Sequence, residues 1–344
     1  MKQQNNSHNN KFLKKIFIKI CRFFGFEIID QNEFYVPTLN KKLNENLNQP
    51  GEKSITLPLG EVKITRKVKS LNVFFRSCTN INMLTQNKAR LFNKDKSEYT
   101  FRSLNSIIKS IIKANKIMPN IEFNLTVIDH NSKESDLNQI KKQLYASKIQ
   151  NNLVSLNIDE FKNNIKKINS KNEQVTENQI SNMSNIHKSL LLSKEMSKDL
   201  VYLVEDDYIH QHDSIEEMIF TYERLSSQLN RELILCPSDY PYLYTKVESS
   251  NIFMGSKKHW RTIGETLCTF LTSKEIVEKH WEKLISMCQF EHYPFEKPLH
   301  DIYKIERCIS PIPSLAIHCT NINSIFGLSP NVDWEKLWNE NKSY

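Results

Sequence analysis

Glu205, Asp206 and Asp207 are three consecutive carboxylates set directly after the apolar, β-branched run Leu200-Val201-Tyr202-Leu203-Val204. Such a run reads as a buried strand, and its carboxyl end would open onto the edge of a sheet, where open α/β folds bind ligands. Adjacent carboxylates repel one another. A divalent cation relieves that repulsion, and hard oxygen ligands suit Mg²⁺ or Mn²⁺. An isolated acidic triplet is more often a solvated turn. Here a strand precedes it and a helix-like segment, Ser214 to Leu225, follows.

Two further groups fall at strand ends. Leu71-Asn72-Val73-Phe74-Phe75 leads into Arg76, and Phe123-Asn124-Leu125-Thr126-Val127-Ile128 leads into Asp129. On a parallel sheet all of these would lie along one carboxyl edge despite their separation in sequence. Asp129, two residues before Asn131, also reads as a turn or helix-capping group. Taken together, an acid that can accept from a ribose or base and a metal-binding cluster compose a site for a nucleoside diphosphate.

The elements that must hold these residues alternate. Helical spacing of apolar residues marks Phe101 to Lys113, Glu134 to Tyr145 and Gln179 to Lys198, the last feeding straight into the carboxylate strand. A short apolar run spans Leu153 to Ile158. Strands separated by helices imply right-handed crossovers and an α/β fold with a mostly parallel sheet flanked by helices. Beyond Asp207 the pattern loosens into a strand at Leu233 to Cys236, a helix at Ser273 to Met287 and a terminal run from Ile309 to His318. The expected organisation is an N-terminal basic helix and linker over 1–68, one domain over 69–330 and a C-terminal tail over 331–344. Residues 1–10 read as disordered, and the Asn-rich stretch from Asn40 to Lys53 reads as a linker.

Composition narrows the class. With 6 Gly in 344 residues and no G-x-G-x-x-G or Walker pattern, dinucleotide oxidoreductases and P-loop enzymes are excluded. Seven scattered Cys without C-x-x-C pairs suggest neither a zinc site nor a disulfide framework, and fit reduced thiols in a cytoplasmic protein. The net charge of +8 is concentrated in the first 22 residues, around Lys63 to Lys69 and in Lys162 to Lys171. Basic patches of this kind contact phosphates or are merely solvated surface; no nucleic-acid partner is expected. No segment reaches the roughly 18 apolar residues of a membrane span. Over residues 11–26, Lys14, Lys15, Lys19 and Arg22 sit opposite Phe12, Ile16, Ile20 and Phe23. That pattern suits a helix lying in a membrane interface, and equally a helix docked on the protein's own body.

At this point the sequence resembles the GT-A glycosyltransferases, in particular their family 2-like group. The resemblance covers about Lys69 to His318. It is carried by Val73-Phe74-Phe75-Arg76-Ser77, Val127-Ile128-Asp129, the helix with Asn182 and Asn185, and Tyr202 through Asp207. It implies that Asp129 contacts the nucleoside, and that the acidic motif holds Mn²⁺ or Mg²⁺ on a nucleotide-sugar diphosphate. The motif reads E-D-D, so Asp206 and Asp207 rank above Glu205 as ligands. Arg76 and Glu205 would help to bind the donor. The resemblance also implies a carboxylate base after the metal motif, here Asp301 in Leu299-His300-Asp301-Ile302, with Glu296 in reserve; Asp301 would otherwise be a helix cap. A late histidine, His318, would meet the metal or diphosphate. Aromatic segments around Asp239 and Glu265 suit a sugar acceptor and suit an aromatic core equally well. The expected activity is metal-dependent, inverting transfer of a hexose from a nucleotide sugar to a glycan or lipid-linked acceptor in surface polysaccharide assembly. The alternatives are a GT-A-like nucleotidyltransferase and a non-catalytic basic module that binds membranes or nucleic acid.

Overall fold

A computed structural model describes residues 10–26, 48–49, 51–56, 60–80, 90–246 and 248–342. The start expected to be disordered (1–9) and most of the expected linker (40–47 and 50) lie outside them. The chain divides into two compact units, Met1–Leu47 with Ile55–Glu61, and Asn48–Ser54 with Val62–Tyr344. In the first unit, α1 (Asn10–Phe23) is a helix of 14 residues. Among the described residues, no helix is long and apolar enough to cross a membrane. None of the seven Cys is in a disulfide.

Short strands β1 (Asn48–Gln49) and β2 (Lys53–Thr56) pair antiparallel, and β3 (Gly60–Lys63) follows. The second unit is built on a nine-stranded sheet. Its strands are β4 (Ser70–Ser77), β5 (Glu122–Asp129), β6 (Gln150–Ser155), β7 (Leu200–Glu205), β9 (Ile234–Leu235), β10 (Ile252–Met254), β11 (His259–Thr262), β12 (Phe270–Ser273) and β13 (Cys308–Ile312). They are ordered β10-β11-β13-β9-β12-β7-β4-β5-β6. Only β11 and β12 run against the rest, so the sheet is mixed but mostly parallel. A separate antiparallel pair joins β8 (Tyr208–His210) to β14 (Ala316–His318).

Both faces of the sheet are covered, which is why the central strands are nearly continuous apolar runs. Side chains alternate between two cores. Leu71, Val73, Phe75, Tyr202 and Val204 pack on one side with α2 (Lys96–Ile117), α3 (Glu134–Ser147) and α6 (Ser214–Leu229). Phe74, Val201 and Leu203 pack on the other. Their partners are α4 (Asp159–Lys162), α5 (Glu177–Met196), α7 (Lys274–Lys279), α8 (Trp281–Gln289) and α9 (Lys297–Tyr303). The helix α5 is started by a capping box, with Thr176 accepting from the Gln179 backbone N–H and Gln179 accepting from the Thr176 N–H.

Three elements differ from expectation. The helix expected over Ser273 to Met287 is two, α7 and α8, because His280 leaves helical backbone (φ −109°, ψ 22°). The Ile309-to-His318 run is split: Pro311 and Pro313 each lack an N–H for the ladder, and Ala316–His318 pairs with β8 instead of continuing β13. The expected tail is instead α10 (Trp334–Glu340), which buries Leu337 and Trp338. Trp338 packs against Phe92 and Tyr99 at ring separations of 4.3 and 4.8 Å, beneath the Arg102 guanidinium.

Candidate active site

The parallel strands β4 and β7 are in register with Arg76 opposite Glu205. The chain then turns at Asp206 and Asp207 and returns as β8. Because His318 pairs with Tyr208, the end of β14 arrives beside that turn. A cavity of about 490 Å³ opens here, at the carboxyl ends of β4 and β7. Arg76, Lys96, Glu205, Asp206, Asp207, Glu296 and His318 all line it.

The three consecutive carboxylates point to three different basic side chains. Glu205 lies 3.0 Å from Arg76 and accepts from the Thr269 hydroxyl at 3.1 Å. Asp206 lies 3.4 Å from Lys96, in the first turn of α2, and accepts from the Thr100 hydroxyl at 2.9 Å and the Cys78 N–H at 3.2 Å. Asp207 lies 3.2 Å from His318 and accepts from the Thr320 hydroxyl at 2.7 Å. The repulsion that sequence alone assigns to a metal is therefore largely balanced within the protein.

His318 is held through both ring nitrogens. Its Nδ1 lies 2.8 Å from the Phe326 carbonyl, which only accepts, so Nδ1 carries a proton. Its Nε2 lies 2.8 Å from the Thr320 hydroxyl and 3.2 Å from the Asp207 carboxylate. Burial works against a charged ring, but Asp207 raises the imidazole's pKa regardless. Reciprocally, against the upward push of burial, His318 and Thr320 hold Asp207 down at about 2. His318 fixes Asp207 at the cavity's edge.

Burial raises Asp206, although Lys96 pulls it down, and it also raises Glu205 against the pull of Arg76. Glu296 behaves differently. It precedes α9, and no cation lies within ion-pair distance of it among the described residues. Burial, and then the neighbouring Glu205, push it up to about 7. The site thus sets Glu205, Asp206 and Asp207 each against a basic side chain, and leaves Glu296 placed to exchange a proton near neutrality.

The donor set for a divalent cation is partial. Among the described residues, no group of three His, Cys, Asp or Glu is arranged to hold a metal. Asp206 and Asp207, however, make their hydrogen bonds through Oδ2, and no hydrogen bond from a described residue reaches Oδ1 of either. Two carboxylate oxygens completed by substrate phosphate and water is an ordinary Mg²⁺ arrangement. The residues present fit such a cation.

The other expected site residues lie elsewhere. Asp129 is buried and accepts from the Ser77 hydroxyl at 2.7 Å and from Ser132, which shapes the turn after β5. Asp301 is outside the cavity. It follows Glu296 by five residues, about 140° around a helix, and pairs with Lys304 on the half-exposed side of α9. Asp239 is buried against Arg261 at 2.6 Å and accepts from the Tyr244 hydroxyl. Glu265 pairs with Lys246 at 2.8 Å near the surface. Lys96, Thr100 and Thr320 complete the site without any local sequence signal, since only the return of α2 and β14 to the carboxyl edge brings them in.

No family model matches the sequence, and no curated protein matches it. Solved structures to which the chain is similar include UDP-glucose pyrophosphorylase complexed with UDP-glucose, at 8% identity and a TM-score of 0.38, covering 80% of this chain and 97% of that one. The galactosyltransferase LgtC, in complex with donor and acceptor sugar analogs, is 10% identical with a TM-score of 0.35, over 69% of this chain and 70% of that one. S. aureus TarS 1-349 is 12% identical with a TM-score of 0.34, over 61% of this chain, which spans about half of TarS 1-349 (48%). The similar chains thus include a galactosyltransferase and a pyrophosphorylase, and the site described above rests on its own geometry.

Proposed function

We propose that the chain is a glycosyltransferase that moves a sugar from a nucleotide-sugar donor to a hydroxyl of a glycan or lipid-linked acceptor. The observation that carries this reading is the charge pattern of the cavity. Arg76, Lys96 and His318 sit against three carboxylates, and Glu296, pushed up toward neutrality, has no such partner among the described residues. A nucleoside diphosphate brings about two negative charges into such a site. Lys96 and Arg76 are the groups suited to hold its oxygens, while the Oδ1 atoms of Asp206 and Asp207 would hold Mg²⁺ or Mn²⁺ that enters with the donor. When bound, that cation would offset charge growing on the leaving diphosphate.

The residues of the chain do the rest. His318 and Thr320 orient Asp207, and Thr100 and the Cys78 N–H orient Asp206. Glu296 takes the proton from the acceptor hydroxyl as that oxygen attacks the anomeric carbon, which gives inversion if attack is opposite the leaving group. A carboxyl near 7 is suited to this task at neutral pH, because it is both substantially ionised and basic enough to accept a proton. Phe295, also on the cavity wall, offers a ring face to a sugar. Asp301 and the acceptor roles expected for Asp239 and Glu265 are left out of this scheme, since each of the three is tied to a cation outside the cavity.

The test is a transfer and hydrolysis screen over nucleotide sugars with Mn²⁺, run beside nucleoside triphosphates with sugar phosphates. Release of nucleoside diphosphate from a nucleotide sugar supports the proposal. Release of pyrophosphate from a triphosphate alone would replace it with nucleotidyl transfer.

A further inference from the structure

The helix α1 carries a second surface, unrelated to the cavity. Its Leu13, Ile16, Phe17, Ile20 and Phe23 are exposed, Phe23 at 86% and Leu13 at 65%, and Phe24 and Phe26 just beyond are each 69% exposed. Exposed large apolar residues in such density are not ordinary surface. At 100° per residue the sequence sets Leu13, Ile16, Phe17, Ile20 and Phe23 within one sector of about 120°. The same winding sets Lys11, Lys14, Lys15, Lys19 and Arg22 in the opposite one. Residues 1 to 26 hold six Lys/Arg and no Asp/Glu.

We infer that α1 lies in the headgroup layer of an anionic lipid bilayer, its apolar sector toward the acyl chains and its Lys/Arg among the phosphates. Charge selects this occupant. A protein groove complementary to the apolar sector would gain nothing from five Lys/Arg on the opposite face, which Ile18 alone interrupts, whereas an anionic bilayer engages both at once. Length selects the orientation. Fourteen residues of helix extend about 21 Å, short of the roughly 30 Å hydrocarbon core, so α1 lies on the membrane and does not cross it. The inference is independent of the reading of the cavity.

The test uses the full chain, floated with vesicles of phosphatidylcholine alone or mixed with phosphatidylserine, at low and high salt. The wild type is expected to float with phosphatidylserine vesicles. Phosphatidylcholine alone, or high salt, should reduce binding at least about tenfold, as five basic residues at an anionic surface imply. Phe17→Ser with Ile20→Ser, at exposed positions where folding is unaffected, should reduce it by a similar factor. Failure of the wild type to float overturns the inference, as does equal binding to both vesicle types. A lipid-free dimer that dissociates in the double variant would assign the face to a second copy, and would equally overturn it.

Discussion

Replacing Glu296 by Gln separates catalysis from stability in opposite directions. The carboxyl is raised from 4.5 to about 7 by burial and by Glu205. At about 1.4 kcal/mol per pH unit, that interval corresponds to about 3 kcal/mol of stability. The sign follows from proton binding. A folded-state value above the unfolded one means that the folded protein keeps a proton the unfolded chain would release. Stability from this group is therefore intact below pH 4.5, and is lost as pH rises through about 7. Glu296→Gln carries no ionisable group, so at pH 8 the variant should be more stable than the wild type by up to about 3 kcal/mol. The gap should close below the unfolded value. Urea unfolding at a series of pH values reads this directly. In the transfer assay the same variant should lose roughly 10²- to 10⁴-fold in kcat with donor affinity nearly unchanged, since a base acts in the transition state and not in donor binding. The wild-type rate should rise with pH through about 7, and the residual rate of the variant should not. Normal turnover in Glu296→Gln, or a pH limb near 7 that survives the substitution, refutes the assignment.

Other outcomes follow from the same geometry. Asp301→Asn should leave turnover within about twofold, because Asp301 pairs with Lys304 outside the cavity; steady-state kinetics beside Glu296→Gln decide between the two carboxylates. Asp207→Asn should abolish Mn²⁺-dependent binding of a nucleoside diphosphate in calorimetric titration while far-UV circular dichroism is unchanged, and retained metal-dependent binding would remove Asp207 from the ligand set. Lys96→Met strands Asp206, which lies 3.4 Å away, and should cost about 3 kcal/mol in denaturant unfolding; adding Asp206→Asn should recover much of that loss. Trp338→Ala should destabilise by about 3–5 kcal/mol, since the ring lies between Phe92, Tyr99 and Arg102. A thermal midpoint equal to wild type would return α10 to the status of a dispensable tail.

The order of the α/β elements was legible from local pattern alone. Runs such as Leu200 to Val204 are apolar at every position because helices cover both faces of their sheet, and that signature survives in one dimension. So did the placement of Arg76 and Glu205 at adjoining strand ends, since a parallel sheet puts successive carboxyl ends on one edge. What lay beyond the sequence was where each carboxylate points. Three adjacent acids read as a demand for a metal because nothing nearby in sequence neutralises them. Their basic partners come from 110 or more residues away, Lys96 on α2 for Asp206 and His318 on β14 for Asp207. In sequence Asp301 ranks as the base, with Glu296 in reserve. A helix turns about 100° per residue, so only the docking of α9 decides that Glu296 faces the cavity while Asp301 faces Lys304. Strand order and residue type are set by periodicities of two and 3.6 residues that any window of the chain displays, whereas charge pairing and pKa depend on through-space neighbours that exist only once the crossovers have closed.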